Sequence, residues 1–414
     1  MRAEALGPFD ERSRAALLEG VRGTGTAAER EGSPGAPAAD EVFAAAVWST
    51  LTEPGDAAAG ILRLVWGPSG ALEALDLTGD EVAKRLREQG VFDAARFDFS
   101  AARARWQPRV SEQLIRATLR SASVLGIRLV VPGDREWPTG FDDLGVHAPA
   151  ALWVRGDPGA LTRSPGVALV GCRAASSYGE LVAAELADGL VSRGLAVHSG
   201  GAYGIDGMAH RATLAADGAT VAVMAGGVDR YYPSGNHDLL QRVAENGAVV
   251  SEMPCGTAPS RWRFLQRNRL IAALSAGTVV VEAGHRSGAS NTAGHARSLD
   301  RPVGAVPGPI SSPASAGCHR LIREGQAVCI TSAADVLEMI EPGLDVDQPG
   351  IDRSGGTSHE VRLLDALSSR RGQSDVELAI SSGLSPGVVR GTLSLLEAAD
   401  RAVERETGWF RVER

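Results

Sequence analysis

The sequence predicts an α/β protein: a Rossmann-like doubly wound, mostly parallel sheet, with a small N-terminal helical region and a C-terminal winged-helix segment. Three observations predict it. Between Gly166 and about Ile340, short apolar runs alternate with helix-period stretches, the pattern of a parallel sheet covered on both faces. The run Gly166-Val167-Ala168-Leu169-Val170-Gly171 is small and β-branched throughout, as a strand buried on both sides requires, and Arg173 stands just past its carboxyl end. After residue 358, three helical stretches precede two short strands around Glu406-Thr407-Gly408, which is the winged-helix order.

Taken in order, residues 1–39 are rich in Ala, Gly, Glu and Pro and read as a disordered leader. Residues 40–125 read as a helical domain. Apolar residues at helical spacing (Val42, Phe43, Val47, Trp48, Leu51, then Ile61, Leu62, Val65, Trp66) are cut by Pro54-Gly55 and Gly67-Pro68. Residues 92–108 carry little pattern, and a helix is expected over 110–125. Residues 126–340 form the main domain, opened by a strand near Ile127–Val131 and an extended lead-in at Leu152-Trp153-Val154 that is expected to add to the sheet. Further strands are expected at 167–170, 195–198, 220–224, 248–251, 278–281, 303–305 and 327–330. The helices between them are expected at 179–192, 205–216, 234–246, 267–275, 289–299 and 318–324. Residues 341–358, with Pro342-Gly343, Pro349-Gly350 and Ser354-Gly355-Gly356, read as a linker. Residues 359–414 follow as helices at 360–367, 375–380 and 386–398 and a hairpin. The third of these helices carries only Arg390 as a base, so protein contact or structural capping stands beside duplex DNA binding as its role.

Composition removes several functions. A chain of 414 residues exceeds one core, and its formal charge of -8 argues against a uniformly basic nucleic-acid coat while leaving a local groove open. Lys84 is the sole lysine, so the main domain holds no Walker-A loop and no Schiff-base lysine. Cys172, Cys255, Cys318 and Cys329 have no metal-ligand spacing and read as reduced cysteines of a cytoplasmic protein. No apolar stretch is long enough for a membrane span.

The candidate chemistry lies at strand ends. Arg173 follows a strand and precedes a helix, and in an open α/β sheet that crevice suits an anion. The turn Ser199-Gly200-Gly201-Ala202-Tyr203-Gly204 opens the next helix and lets backbone amides approach a phosphate, although such turns are frequent. It is not the dinucleotide fingerprint, which would follow the first strand. Asp206 and His210, four apart, would share a helix face as acid and base, or Asp206 would serve as a cap or loop anchor. The run Arg261-Trp262-Arg263-Phe264-Leu265-Gln266-Arg267-Asn268-Arg269 interleaves arginines with aromatics, as a single-strand binder does. A solvated loop anchored by a buried ring explains the same run. Glu282 ends a strand, and Ser287-Gly288-Ala289-Ser290-Asn291-Thr292 supplies either donors for a phosphate or sugar or an ordinary helix cap. A Rossmann-like hydrolase acting on a nucleotide or N-glycosidic bond through Asp206 or Glu282 is the competing function, weakened by the lack of an assembled acid, base and nucleophile.

In sequence order, Val170-Gly171-x-Arg173, Ser199-Gly200-Gly201-Ala202-x-Gly204-Ile205-Asp206-x-x-Ala209-His210, Tyr232-Pro233-x-x-Asn236, Ser251-Glu252-x-Pro254, Arg267-Asn268-Arg269, Ser287-Gly288-x-x-x-Thr292-Ala293 and Val306-Pro307-Gly308 form a set that resembles the DNA-processing protein A family, also called Smf. The resemblance spans about residues 127–340 and is looser over the helical region, which looks like that family's sterile-alpha-motif-like domain, and over the tail. It implies a dimeric, non-enzymatic cytoplasmic protein without cofactor that binds single-stranded DNA and delivers it to the RecA recombinase in natural transformation. By motif, Arg173 would hold a phosphate, and Ser199, Gly200, Gly201 and Gly204 would line the pocket. Arg261 would contact phosphate and Phe264 would stack a base. Arg267, Asn268, Arg269, Ser287, Gly288 and Thr292 would complete the wall. Leu265-Gln266 stands where the family commonly has Phe-Pro, and Ser234 where a basic residue is frequent. His319 and Gln326 are further departures, near a usual asparagine and in place of an alanine.

Overall fold

The computed structural model describes residues 9–22, 37–91, 96–285, 287–341, 363–364, 366–369, 371–382, 384, 386–398, 401–405 and 408–412. Most of the expected leader (1–8 and 23–36), the linker from 342 to 358 and the opening of the first C-terminal helix lie outside these residues. The described residues up to 341 form one compact unit and those from 363 a second.

The first unit is built on a nine-stranded sheet in the order β1-β2-β6-β5-β4-β3-β7-β8-β9. Its parallel strands are β3 (Gly166–Gly171), β4 (Ala196–Ser199), β5 (Thr220–Val223), β6 (Ala248–Ser251), β7 (Gly277–Glu282), β8 (Val303–Ala305) and β9 (Val328–Cys329). β1 (Arg128–Val130) and β2 (Leu152–Gly156) extend it antiparallel, as the lead-in reading expects. β9 shrinks to two exposed edge residues, shorter than the expected 327–330. Residues along β3 alternate between the faces: Val167 and Leu169 pack in one core, Ala168 and Val170 in another. A strand covered on both faces cannot carry a polar alternation, which is why its sequence is continuously apolar.

Helices cover both faces. α7 (Ser177–Val191), α8 (Ile205–Ala215) and α13 (Ala333–Ile340) pack on Val167, Leu169, Val279 and Val281. The opposite layer includes α10 (Arg261–Leu274), α11 (Gly288–Ser298) and α12 (Ala316–Arg323), whose Leu270, Ile271, Ala293 and Leu321 join Ala168 and Val170. α9 (His237–Asn246) places Leu239, Leu240 and Val243 against Val249.

Among the described residues six α-helices precede the sheet: α1 (Glu11–Arg22), α2 (Ala39–Leu51), α3 (Ala57–Glu73), α4 (Gly79–Glu88), α5 (Phe99–Trp106) and α6 (Glu112–Val124). α1 corrects the leader reading for residues 9–22. Phe9, Leu18 and Val21 are buried, and Arg22 donates to Asp134 and to the Leu129 carbonyl, so a weakly patterned segment is held by contacts the sequence does not display. α5, capped by Asp98, likewise forms in the stretch that carried little pattern. The expected break at Gly67-Pro68 is a kink inside α3, where Gly67 adopts φ 71°.

The helical region is not cored separately from the sheet. Trp48, Leu51, Trp106 and Ile115 share one hydrophobic cluster with Trp153, Leu240 and Val249, and Trp153 Nε1 donates to Ser49 Oγ at 3.2 Å. In the second unit, α14 (Asp375–Ser382), α15 (Pro386–Ala398) and the antiparallel pair β10 (Ala402–Arg405) and β11 (Gly408–Arg411) close on Leu378, Val389, Leu393 and Trp409.

Candidate nucleic-acid interface

The chain leaves β3 toward β4, β5 and β6 on one side and returns to β7, β8 and β9 on the other, so the sheet's order reverses between β3 and β7. Diverging connections at such a point open a crevice beyond the strand ends. An open cleft of about 710 Å³ lies there, lined by Gly171 at the end of β3, Cys172 and Arg173 after it, Gly284 and Ser287 after β7, and residues from the starts of α10 and α11.

The sequence places two helix N-termini at this cleft, and both lack a carboxylate in the first turn. Ser260 caps α10 at the Arg263 amide, and Ser287 caps α11 at the Ala289 amide. Their amides and dipoles leave a positive field that an anion offsets. Arg173 and Arg261 add exposed positive charge, and among the described residues neither lies in an ion pair. The Arg173 guanidinium carbon sits 4.8 Å from the centroid of the half-buried Phe264 ring, and that of Arg267 sits 5.7 Å from it. Tyr232, 45% exposed, meets Phe264 with centroids 5.7 Å apart and ring planes at 54°. Residues 91 apart in sequence thus form one electropositive aromatic surface, the juxtaposition the charge-and-stacking pattern expects.

Eight of the expected site residues line this cleft: Arg173, Arg261, Phe264, Arg267, Asn268, Ser287, Gly288 and Thr292. The arginine-aromatic run is not a loop before a helix but the first turns of α10, which begins at Arg261 rather than at 267. That helical geometry turns Arg267 inward. Its Nη1 donates to the Gly200 carbonyl at 2.8 Å and to the Val223 carbonyl, and burial lowers its pKa to about 10 against the opposing charge of Asp206. Asn268 donates to Asn291 Oδ1 at 3.1 Å and to the Gly288 carbonyl at 3.3 Å, joining α10 to α11.

Five expected residues do not line the cleft. Ser199 is buried, and its hydroxyl donates to the Leu169 carbonyl at 2.6 Å. The Gly200 amide donates to Asp206 Oδ2 at 3.1 Å, and the Gly201 carbonyl receives Asn236 Nδ2 at 3.0 Å. Gly204, at φ +72°, lies beneath the Arg173 segment, where a Cβ would come within 2.3 Å of the Cys172 carbonyl oxygen and 2.5 Å of that of Arg173. Arg269 is buried in an ion pair with Glu252, 2.8 and 2.7 Å. The glycine turn is therefore a support for the strand-end arginine, because the Ser199 hydroxyl, the Gly200 amide and carbonyl and the Gly201 carbonyl are engaged within the fold.

The acid and base candidates separate. Glu282 accepts from the Ser176 amide at 2.9 Å and the Ser176 hydroxyl at 2.5 Å, and with Cys172 it fixes the turn that carries Arg173. Burial and Glu282 push the Cys172 thiol up to about 12, so it is held as a thiol. Asp206 is pushed up by burial against the pull of Arg267 and of backbone amides. His210 Nδ1 pairs with Thr220 Oγ1 at 2.7 Å inside the core, away from any open surface. Among the described residues no His, Cys, Asp and Glu group could hold a metal.

Sequence reasoning missed Tyr232 as a wall of the cleft, although its Tyr232-Pro233 motif was visible, and missed Glu53, which takes Arg263 Nε and Nη2 at 2.9 and 2.8 Å. That pair is 210 positions apart and has no local signal.

The family described as DNA recombination-mediator protein A matches residues 128–341, the whole sheet with the helices among its strands. The chain belongs to that family. This recombination-mediator family member is 47% identical over 299 residues to a putative DNA processing protein DprA of Mycobacterium tuberculosis, covering 69% of this chain and 77% of that one. It is 36% identical over 213 residues to the DNA processing protein DprA of Bacillus subtilis, covering 51% of this chain and 71% of that one. The X-ray structure of DNA processing protein A from Streptococcus pneumoniae superposes with a TM-score of 0.59 at 31% identity, over 73% of this family member and 98% of that chain.

Proposed function

We propose that this recombination-mediator family member binds single-stranded DNA in the β3–β7 cleft and hands it to the RecA recombinase during recombination of incoming DNA. Arg173 and Arg261 hold the phosphodiester backbone, Phe264 stacks an unpaired base, and the amides opening α11 take a phosphate or sugar oxygen. The single observation that carries this reading is the Arg173 guanidinium over the Phe264 ring at 4.8 Å, in a cleft where two helix N-termini also converge. Cations alone serve any polyanion. An adjoining aromatic face serves unpaired bases, and every base has a π-face.

On this reading the protein acts by binding rather than by catalysis, which is supported by Glu282 being engaged by Ser176 and Asp206 by the Gly200 amide. The DNA-binding unit works as a homodimer in the cytoplasm, and the described residues from 363 onward belong to a winged-helix segment. No described helix is long and apolar enough to cross a membrane.

The test is oligo-dT affinity as salt is varied. Each neutralised phosphate contributes a log-log slope of about -0.7 for single strands. A salt-independent response, with Arg173→Ala binding like the wild type, would sink the reading. Release of free base from nucleoside monophosphates would favour the hydrolase instead.

A further inference from the structure

α10 shows two different faces to solvent. Phe264 and Arg261 turn toward the β3–β7 cleft, whereas Trp262, 56% exposed, turns into a second groove of about 420 Å³. At 3.6 residues per turn, Arg261 lies about 60° round the helix from Phe264 and about 100° from Trp262, on the arc between them. The first turn of α10 is therefore a ridge carrying one arginine with an aromatic ring on either slope.

The second groove is walled by the α2–α3 connection (Glu53 to Ala58), by Arg96, Phe97 and Asp98, and by Arg105. Its carboxylates are engaged. Glu53 is held by Arg263 and by Arg109, the latter at 2.6 Å, and Asp98 caps α5 at the Ala101 amide. Asp56 caps α3 and accepts Trp106 Nε1 at 2.8 Å. Arg105 is 58% exposed and reaches Asp56 only at 3.5 Å. Arg263, tied to Glu53 and to the Ala258 carbonyl, fixes the start of α10 against this wall, so Trp262 stands on rigid backbone. A large ring held in solvent beside positive charge, continuous through Arg261 with the main cleft, matches the stacking-and-phosphate chemistry proposed there.

We infer that the Trp262 groove is a second nucleotide-binding site on the same single strand: the strand leaves the main cleft, crosses Arg261 with a phosphate, and stacks a further base on Trp262 while Arg105 takes the next phosphate. The inference rests on the proposed single-strand binding. It adds a second contact area reached only by a longer strand.

The experiment compares oligo-dT of about 4 and about 16 nucleotides, the two ends of the usual range for one single-strand module. Wild type, Trp262→Ala, Trp262→Phe and Phe264→Ala are titrated with both. Trp262→Ala weakens the long oligonucleotide about 5- to 150-fold, the range for one stacked base, and leaves the short one unchanged. Trp262→Phe restores most of the loss, and Phe264→Ala weakens both lengths. Equal binding of the long oligonucleotide by wild type and Trp262→Ala overturns this site while leaving the main cleft standing. Failure of the wild type with both lengths overturns the cleft reading and this site together. Trp262 lies outside the hydrophobic clusters, so an unaltered thermal midpoint for Trp262→Ala separates a lost contact from a lost fold.

Discussion

Arg173 and Phe264 meet with the guanidinium carbon 4.8 Å from the ring centroid, although one lies just past the end of a β-strand and the other in the first turn of a helix 91 residues later. In the proposed binding mode the contact joins a charge that takes phosphate to a face that stacks a base. Removing each partner should therefore change a different property of binding. Arg173→Ala lowers the magnitude of the log-log salt slope by about 0.7. Phe264→Ala leaves that slope in place and weakens oligo-dT binding by about 1–3 kcal/mol at every salt concentration. Titrations by fluorescence anisotropy at several ionic strengths check both.

Gly204 does not line the cleft but lies directly beneath the Arg173 segment. Gly204→Ala places a methyl group within 2.3 Å of the Cys172 carbonyl oxygen at a φ of +72°, so the strand-end turn must shift. At φ 72° and ψ -129° the backbone lies outside αL in a region almost reserved for glycine, and holding a Cβ there costs about 1–3 kcal/mol. The expected result is a folded protein with a lower urea midpoint and a salt slope reduced toward that of Arg173→Ala. An unaltered slope would show that the turn does not position the arginine.

Arg269 and Glu252 form an ion pair whose side chains are only 3% and 8% exposed. Arg269→Ala leaves a buried carboxylate without its partner and should cost about 3–5 kcal/mol of stability, read as a shift in urea midpoint. Replacing both residues with apolar side chains of similar volume should recover most of that loss. Where the single variant stays folded, its salt slope should equal the wild-type value, because Arg269 does not line the cleft.

His198 and His210 are both fully buried, and burial lowers their pKa from 6.5 to about 4 and about 3 respectively. In the unfolded chain each takes a proton below about pH 6.5, whereas in the folded protein each stays neutral to lower pH. Their contribution is therefore fully present above about pH 6.5 and is lost as pH falls toward 4 and then 3. Between these limits stability should fall by about 1.4 kcal/mol per pH unit for each histidine. Urea midpoints across this window check it, and His210→Gln should flatten the slope.

The strands from Val167 to Ala305 were legible because burial on both faces forces a continuous apolar run, and the helices between them because each has one covered side. α1 was illegible. Its burial rests on few apolar residues and on Arg22 reaching Asp134, 112 positions away. The arginine-rich run was legible as a candidate binding element, but composition could not separate Arg261, exposed at the cleft, from Arg267 and Arg269, whose guanidiniums are taken by buried partners. Only the start of α10, set by the Ser260 cap, assigns each arginine its direction.

The sequence by itself determined the alternating α/β pattern, the glycine and arginine at the strand end, and the family to which the chain belongs. The tertiary structure decided which of the polar residues are free to meet a ligand. The physical reason is that a residue type states what a side chain can do, whereas burial and its folded partners decide whether that capacity is already used. Ser199, Gly200 and Arg269 are engaged inside the protein, whereas Arg173 and Trp262 are left facing water and Phe264 lies half-buried in the cleft wall.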